Sequence, residues 1–268
     1  MDLSLLIDAG AERALLALIL LMARLVPLFW VAPMFGGRLV PAPVRVGLSL
    51  AIALLIFPSV APALDGLSAM APALVVMLVA KEVLVGFALG FVTSLVFHAA
   101  AAAGALVDGA RGAQSAEATL PQSGARTTVL GNLHVQLAIV IFFALGGHRV
   151  FFVAVAHGYA AIPPAALPTI KGVASFGALC IRLSADVILV GLALAAPVVV
   201  ALALGDLTLG WINRFAPQIN VYFMAMPAKA LLGIGVLAIA APLLLAALPP
   251  LLSRAMEQLE IAARIFGP

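Results

Sequence analysis

Long apolar runs, interrupted by single charges, are the main pattern of this chain. Six runs of 19 to 25 residues contain no Asp, Glu, Lys or Arg. A helix needs about 20 apolar residues to cross roughly 30 Å of hydrocarbon. The pattern therefore predicts an all-α fold with several helices long enough to span a membrane. The runs lie at 46–64, 83–107, 127–148, 150–170, 187–205 and 230–253.

Three long helices are predicted in the first 106 residues. The first should be broken near its end by Pro27 and Pro33, because a proline inside a helix removes a backbone hydrogen bond. The third is too long for one simple span and contains the pair Lys81–Glu82, so we expect a bend or a strong tilt. These helices are predicted at 11–35, 44–62 and 70–106.

The second half of the chain alternates apolar helices with breaks. Residues 146–148 (Gly-Gly-His) interrupt an apolar stretch at 128–160, and a proline-rich turn follows it. Pro249 and Pro250 should stop the last apolar helix, and the tail after them should form a short amphipathic helix that faces water. The remaining segments are predicted at 173–205, 230–248 and 251–265.

Small residues mark one face of the third predicted helix. Gly86 and Gly90 form a GxxxG pattern, and residues 99–104 are alanine or glycine. Small side chains let helices approach closely in apolar surroundings. We therefore expect close contact between this helix and its neighbours.

Composition supports a membrane protein. Hydrophobic residues make up 65% of the chain and charged residues only 9%, whereas a soluble domain carries roughly 25% charged residues. The formal net charge of +3 is spread along the chain without a polybasic cluster. This distribution argues against a nucleic-acid partner.

No pattern typical of catalysis or cofactor binding is visible. His98, His134, His148 and His157 form neither HExxH nor a close ligand pair. A GxSxG motif and a glycine-rich phosphate-binding loop are also absent from the sequence. We therefore expect no enzyme, no metal and no cofactor.

Ionisable residues near or within the apolar runs leave two functions open at this point. Transporters place such residues inside the membrane to bind ions or protons. The residues that could act in this way are Arg24, Lys81, Glu82, Asp108, Arg182 and Asp186. A structural subunit of a membrane complex is the alternative, because the chain shows no repeated halves and few long, uninterrupted spans.

One segment resembles a known family. The sequence GWINRFAPQINVYF at 210–223, followed by MPAK at 226–229, resembles the hallmark of the FliR/SctT family. These are the flagellar FliR proteins and their injectisome counterparts SpaR, YscT and HrcT. Other blocks are similar in order and spacing, so the resemblance covers nearly the whole chain. They are APMFG at 32–36, KE at 81–82, GF at 90–91, RGA at 111–113 and GGH at 146–148.

The resemblance implies a subunit of a type III secretion export gate. Family members look like one FliP-type and one FliQ-type protomer joined in a chain, with kinked, hairpin-like helices. Residues 1–172 would be the FliP-like part, and residues 173–268 the FliQ-like part with the amphipathic C-terminal helix. The DxxRGA and AMPAK forms and the double glycine look more like the injectisome branch than the flagellar branch.

The resemblance also implies partners and a location. With FliP/SctR-type and FliQ/SctS-type subunits, the chain would form the entrance channel for unfolded secreted proteins. SctU/FlhB-type and SctV/FlhA-type components are further expected partners. The complex would lie in the bacterial inner membrane, in contact with lipid, with part of it above the bilayer plane.

Residues 107–127 form the most polar internal segment. By themselves they are a solvated loop between helices, whereas the resemblance implies a plug that projects into the closed channel. A loop rich in glycine, serine and alanine can move aside at low cost. The implied plug residues are Asp108, Arg111, Gly112, Gln114, Ser115, Glu117, Pro121, Gly124 and Arg126.

A second set of residues is expected at interfaces or in structural motifs. Arg214, Gln218 and Asn220 either contact a neighbouring subunit or the lumen, or lock a helix break through internal hydrogen bonds. Lys229 begins an apolar helix, and its long side chain can reach an interface. The full set is Arg24, Pro33, Lys81, Glu82, Arg214, Pro217, Gln218, Asn220, Pro227 and Lys229.

Overall fold

The computed structural model describes residues 3–36, 40–60, 71–112, 128–218 and 220–266. Regular structure in these ranges is helical throughout, which confirms the all-α prediction. The helices are α1 (Leu3–Val31), α2 (Pro33–Gly36), α3 (Ala42–Val60), α4 (Pro72–Ala110), α5 (Val129–Ala144), α6 (Gly147–Ala161), α7 (Ile170–Phe215) and α8 (Val221–Phe266).

Five of these helices are long and apolar enough to cross a membrane, which confirms the membrane prediction. They are α1, α3, α4, α7 and α8, and the bent pair α5–α6 would add a sixth crossing if it were one span. Only 17% of the apolar part of α8 and 28% of α7 are buried within the chain. Most of their surface is therefore available to lipid or to other proteins.

Two prolines near the start of the chain, Pro27 and Pro33, differ in their effect on the helices. α1 passes through Pro27 and ends at Val31, and Pro33 opens α2. A proline at the first helical position costs little, because that N–H has no helical partner in any case. The predicted break at Pro33 is confirmed, whereas the predicted break at Pro27 is wrong.

The prediction that Pro249 and Pro250 stop the last helix is also wrong. α8 continues through both, for 46 residues in all. In apolar surroundings, ending a helix exposes several unpaired carbonyl groups, and this costs more than the two hydrogen bonds that the prolines remove. The amphipathic pattern of the tail is confirmed, since Leu252, Met256 and Leu259 are buried while Arg254 is exposed.

The break between α5 and α6 lies where the double glycine predicts it. α5 ends at Ala144 and α6 begins at Gly147. Gly146 has φ of 71°, in the left-handed region that glycine adopts without a steric cost. The third predicted helix, in contrast, is one helix of 39 residues that ends at Ala110, four residues later than expected.

The chain packs into two compact units, each built from separate segments. Unit 1 comprises residues 1–95, 146–183 and 253–268, and unit 2 comprises residues 96–145 and 184–252. The core of unit 2 contains Ala103, Val107, Leu130, Ala195, Val198, Leu202 and Ala240. The division into a FliP-like and a FliQ-like part concerns likeness to other subunits and stays a prediction.

Candidate functional site

Three charged side chains form a buried cluster in unit 1, called the ion cluster below: Arg24 of α1 with Lys81 and Glu82 of α4. All three are buried. Arg24 donates two hydrogen bonds to Glu82, from Nε to Oε2 at 2.5 Å and from Nη2 to Oε1 at 2.9 Å. Lys81 Nζ lies 2.5 Å from the same Oε1. One carboxylate therefore pairs with two cations.

Backbone carbonyl groups supply the remaining partners of these cations. Arg24 donates to Gly158 O at 3.1 Å and to Ile162 O at 2.7 Å. Gly158 lies in the last turn of α6 and Ile162 is its C-cap, so both oxygens lie at the helix end that carries partial negative charge. The guanidinium group thus caps α6 as well as pairing with Glu82.

The ammonium group of Lys81 binds the turn after α6. It donates to Pro163 O at 3.1 Å, Pro164 O at 3.0 Å and Ala166 O at 3.0 Å. An ammonium carries three donors on one nitrogen and suits converging carbonyls, whereas a guanidinium is a planar fork. The choice of Lys at this position therefore follows from the geometry.

Tyr159 completes the surroundings of Arg24 and was missed by the sequence reasoning. The Arg24 guanidinium carbon lies 4.1 Å from the centre of its ring, which is a cation–π contact. Its hydroxyl donates to Leu21 O at 3.0 Å. A tyrosine in the last turn of α6 was the signal, because a buried hydroxyl needs a partner.

The GxxxG pattern provides the close approach that the ion cluster requires. A methyl group at Gly86 would overlap the carbonyl oxygen of Arg24 and lie 2.8 Å from Pro27 Cγ. At Gly90 it would lie 3.0 Å from Val31 Cβ. The predicted close contact is therefore observed, between α4 and α1, and it brings Glu82 within reach of Arg24.

In unit 2, Asp108 connects the end of α4 to the start of α5. It is buried, and its Oδ2 accepts a hydrogen bond from Leu130 N at 2.7 Å. Thr128 is the N-cap of α5 and accepts from Gly131 N at 3.1 Å. A carboxylate and a hydroxyl thus satisfy two of the free N–H groups of this helix, where negative charge is favourable. We call Asp108, Thr128 and Leu130 the α4–α5 clamp.

Glycines permit the clamp in the same way as in unit 1. A methyl group at Gly104 would overlap the backbone of Leu130 and Gly131, and one at Gly131 would lie 3.0 Å from Ala101 O. α4 and α5 are therefore in backbone contact just beside the clamp. The small-residue face predicted at 99–104 forms this contact.

Only part of the proposed plug lies in the described residues. Asp108 belongs to α4, and Arg111 lies 3.5 Å from it, between Nη1 and Oδ1. The Arg111 side chain also covers Gly233 of α8, where a methyl group would come within 2.5 Å of its Cδ. Gly112 has φ of 75° and ends the described part of the segment. Gln114, Ser115, Glu117, Pro121, Gly124 and Arg126 lie outside the described residues.

The hallmark segment forms the turn between α7 and α8. Arg214 lies in the last turn of α7, Pro217 and Gln218 follow it, and Asn220 precedes α8. All four are exposed, and no hydrogen bond joins the side chains of Arg214, Gln218 or Asn220 to another described residue. A polar groove of about 590 Å³ runs over the turn and is lined by Leu209, Gly210, Asn213, Pro217, Gln218, Asn220, Val221 and Ala225.

Lys229 pairs within its own hairpin. Its Nζ lies 2.5 Å from Oδ1 of Asp206 on α7. Asp206 was missed by the sequence reasoning, although the two residues lie at similar distances from the turn and so face each other across an antiparallel pair. Of the other predicted motif residues, Pro33 opens α2 and Pro227 lies inside α8.

The histidines and acids do not converge on a metal site in the described ranges, where no three His, Cys, Asp or Glu side chains are suitably grouped. His134 instead bonds through Nδ1 to Leu130 O at 2.7 Å. His157 lies 4.0 Å from Glu260, which Arg264 also contacts at 2.6 Å.

Comparison with known proteins gives matches over most of the chain. The model of the family described as bacterial export proteins, family 1, matches residues 15–263. The Yop proteins translocation protein T of Yersinia pestis is 31% identical over 225 residues, which cover 82% of this chain and 83% of that protein. The flagellar biosynthetic protein FliR of Bacillus subtilis is 28% identical over 216 residues, covering 80% and 81%. The secretion system apparatus protein SsaT of Salmonella typhimurium is 33% identical over 174 residues, covering 62% and 63%.

Proposed function

We propose, because the chain belongs to family 1 of the bacterial export proteins, that it is the FliR/SctT-type subunit of a type III secretion export gate. The match over residues 15–263 carries this proposal. It extends over the ion cluster, the α4–α5 clamp and the hallmark turn. The relatives are named for translocation, secretion and flagellar biosynthesis.

The subunit works as part of an entrance channel for unfolded proteins across the bacterial inner membrane. Its partners are FliP/SctR-type and FliQ/SctS-type subunits, which residues 1–172 and 173–268 resemble respectively. SctU/FlhB-type and SctV/FlhA-type components complete the export apparatus, and part of the assembly stands above the bilayer. The sparse internal burial of α7 and α8 supports extensive contact with other subunits or lipid.

The exposed hallmark turn is well suited to bind such a partner. Its arginine and two amide side chains have no internal partner among the described residues. Polar groups of this kind contribute specificity once an interface excludes water. The interface alternative for Arg214, Gln218 and Asn220 is therefore preferred over an internal lock.

Within the family, the injectisome branch is the proposed assignment. The DxxRGA and AMPAK forms support it. Overall identity does not separate the branches, because this chain is 31% identical to the Yersinia pestis relative and 28% identical to the Bacillus subtilis relative. The branches predict different phenotypes. Deletion of the gene should abolish secretion of injectisome substrates and leave swimming motility intact, whereas the flagellar branch predicts the reverse.

The segment from Asp108 to Arg126 acts as a plug of the closed channel. The α4–α5 clamp supports this role, because it fixes the chain at the end of α4 and at the start of α5, on either side of the segment. Two variants test the plug. In the first, a glycine–serine linker of equal length replaces residues 113–124, and in the second these residues are deleted. Both variants should assemble and secrete, and both should make cells permeable to small ions. Unchanged permeability in an assembled complex would rule out the plug.

Copurification tests the gate itself against an independent transporter. A tagged chain extracted from its own membrane in mild detergent should carry FliP/SctR-type and FliQ/SctS-type subunits, with one copy of this chain per complex. Cells lacking the chain should contain no such complex and should not secrete. A stable homo-oligomer that transports a small solute, with no associated hydrophobic proteins, would contradict the proposal and support the transporter alternative.

A further inference from the structure

The ion cluster lies near the middle of the apolar part of α1. The candidate span is Ala14–Val31, and Arg24 is ten residues from its start and seven from its end. At 1.5 Å per residue, these separations are roughly 15 and 10 Å. Whatever Arg24 binds is therefore held well inside the apolar layer to which α1 belongs.

α6 runs antiparallel to α1 and stops at this level. Near its start, the Phe151 ring lies 6.0 Å from that of Phe29, centre to centre. Near its end, Tyr159 bonds to Leu21 O and Arg24 bonds to Ile162 O. The end of α6 therefore lies beside Leu21 of α1, and Leu21 is seven residues from the start of the candidate span at Ala14. From there the chain continues into α7 through residues 162–169.

A non-helical connection at this depth needs partners for its carbonyl groups. Irregular backbone inside an apolar layer persists only where protein satisfies its polar groups. Arg24 and Lys81 together bind five carbonyl oxygens, those of Gly158, Ile162, Pro163, Pro164 and Ala166. Glu82 balances part of the resulting positive charge.

We propose that α6 does not complete a crossing, and that the ion cluster holds the connection at 162–169 as a re-entrant turn within the apolar layer. Arg24 and Lys81 are positioning residues that act through backbone carbonyl groups, and Glu82 makes their burial possible. The α5–α6 pair then adds no sixth span. This inference goes beyond the proposed function and holds for either branch of the family.

The role as a carbonyl anchor differs from that of a simple salt bridge in a testable way. If only the pairing of opposite charges mattered, the exchange Arg24→Glu with Glu82→Arg would restore it. In the anchor, the exchange puts a carboxylate against the carbonyl oxygens of Gly158 and Ile162, where both groups are acceptors. The double variant should therefore fail to restore the abundance of the chain in the membrane.

Thiol labelling of the turn tests the proposal in the full chain, expressed with its partner subunits. Ala165→Cys is placed in a chain whose single native thiol is removed by Cys180→Ala, after secretion by this chain has been verified. A membrane-impermeant maleimide, applied from either side of the membrane, should label Cys introduced at 165 slowly, whereas the denatured chain should label completely. Fast labelling from one side with the ion cluster intact would overturn the re-entrant turn.

Lys81→Met provides the decisive comparison, because it leaves the Arg24–Glu82 pair in place and removes only the ammonium. Labelling at 165 should accelerate by about tenfold or more, since losing several charge-assisted hydrogen bonds shifts a local opening equilibrium by at least that factor. Lys171→Met, which removes an exposed lysine at the start of α7, is the matched control and should leave the rate unchanged. Equal rates in the two variants, or full rescue by the charge exchange, would refute the anchor.

Discussion

The polar side chains of the ion cluster in unit 1 and of the α7–α8 turn in unit 2 have opposite environments. In unit 1, Arg24, Lys81 and Glu82 are buried, and each is satisfied by the others or by backbone carbonyl groups. At the α7–α8 turn of unit 2, Arg214 and Gln218 are exposed and bind no other described residue. Polar side chains of the first kind contact other parts of the same chain, whereas those of the second kind remain available to a partner. Substitutions should accordingly separate folding from assembly.

Substitution of Glu82 should cause the largest loss of folding stability. Glu82→Gln leaves two buried cations without a counter-charge, and breaking a buried ion pair in this way costs about 3–5 kcal/mol. Unfolding of the detergent-extracted chain by denaturant should show this loss, together with low abundance in the membrane. Glu257→Gln, at an exposed position on α8, is the control. Equal stability of the two variants would show that the ion cluster does not stabilise unit 1.

Substitution of Asp108 should cause an intermediate loss of folding stability. Asp108→Ala leaves the buried N–H of Leu130 without its acceptor, which costs about 1–3 kcal/mol. Asp108→Asn keeps an acceptor oxygen and should recover much of the loss. Denaturant unfolding measures both, with Asp186→Asn as a control at an exposed aspartate. If the alanine variant matched that control, the α4–α5 clamp would contribute nothing.

The pair Lys229–Asp206 should have the smallest effect on stability. Asp206 is about half exposed and Lys229 one quarter, with side-chain values of 48% and 24%. Ion pairs open to solvent contribute about 0–1 kcal/mol. Lys229→Met should therefore change the free energy of unfolding by no more than this. A loss of stability comparable to that of Glu82→Gln would contradict the distinction between the buried ion cluster and the ion pairs open to solvent.

The sequence allowed the helices to be predicted better than their ends. Apolar runs of 19 to 25 residues predict helices because a membrane leaves few other structures open. The same constraint carries α8 through Pro249 and Pro250, so rules for proline derived from water-exposed helices gave a wrong end. Gly146, in contrast, breaks the chain as predicted, because its φ of 71° needs glycine.

The residues of the ion cluster were predicted, but not their arrangement. Lys81 and Glu82 are adjacent in sequence and suggested a pair, whereas Arg24 lies 58 residues from Glu82. Periodicity cannot relate positions on separate helices, and the carbonyl groups that complete the cluster have no signature in the sequence. The GxxxG at Gly86 and Gly90 was the one local sign that α4 touches another helix here.

The most direct test of the gate assignment compares assembly with abundance for the α7–α8 turn. In Arg214→Ala the chain should reach the membrane at its normal level and unfold at the same denaturant concentration, because this side chain binds no described residue. The amount of FliP/SctR-type and FliQ/SctS-type subunits that copurifies, divided by the amount of this chain, should fall at least several-fold. An unchanged ratio with normal secretion would contradict the account, because the hallmark turn would then be dispensable to the complex.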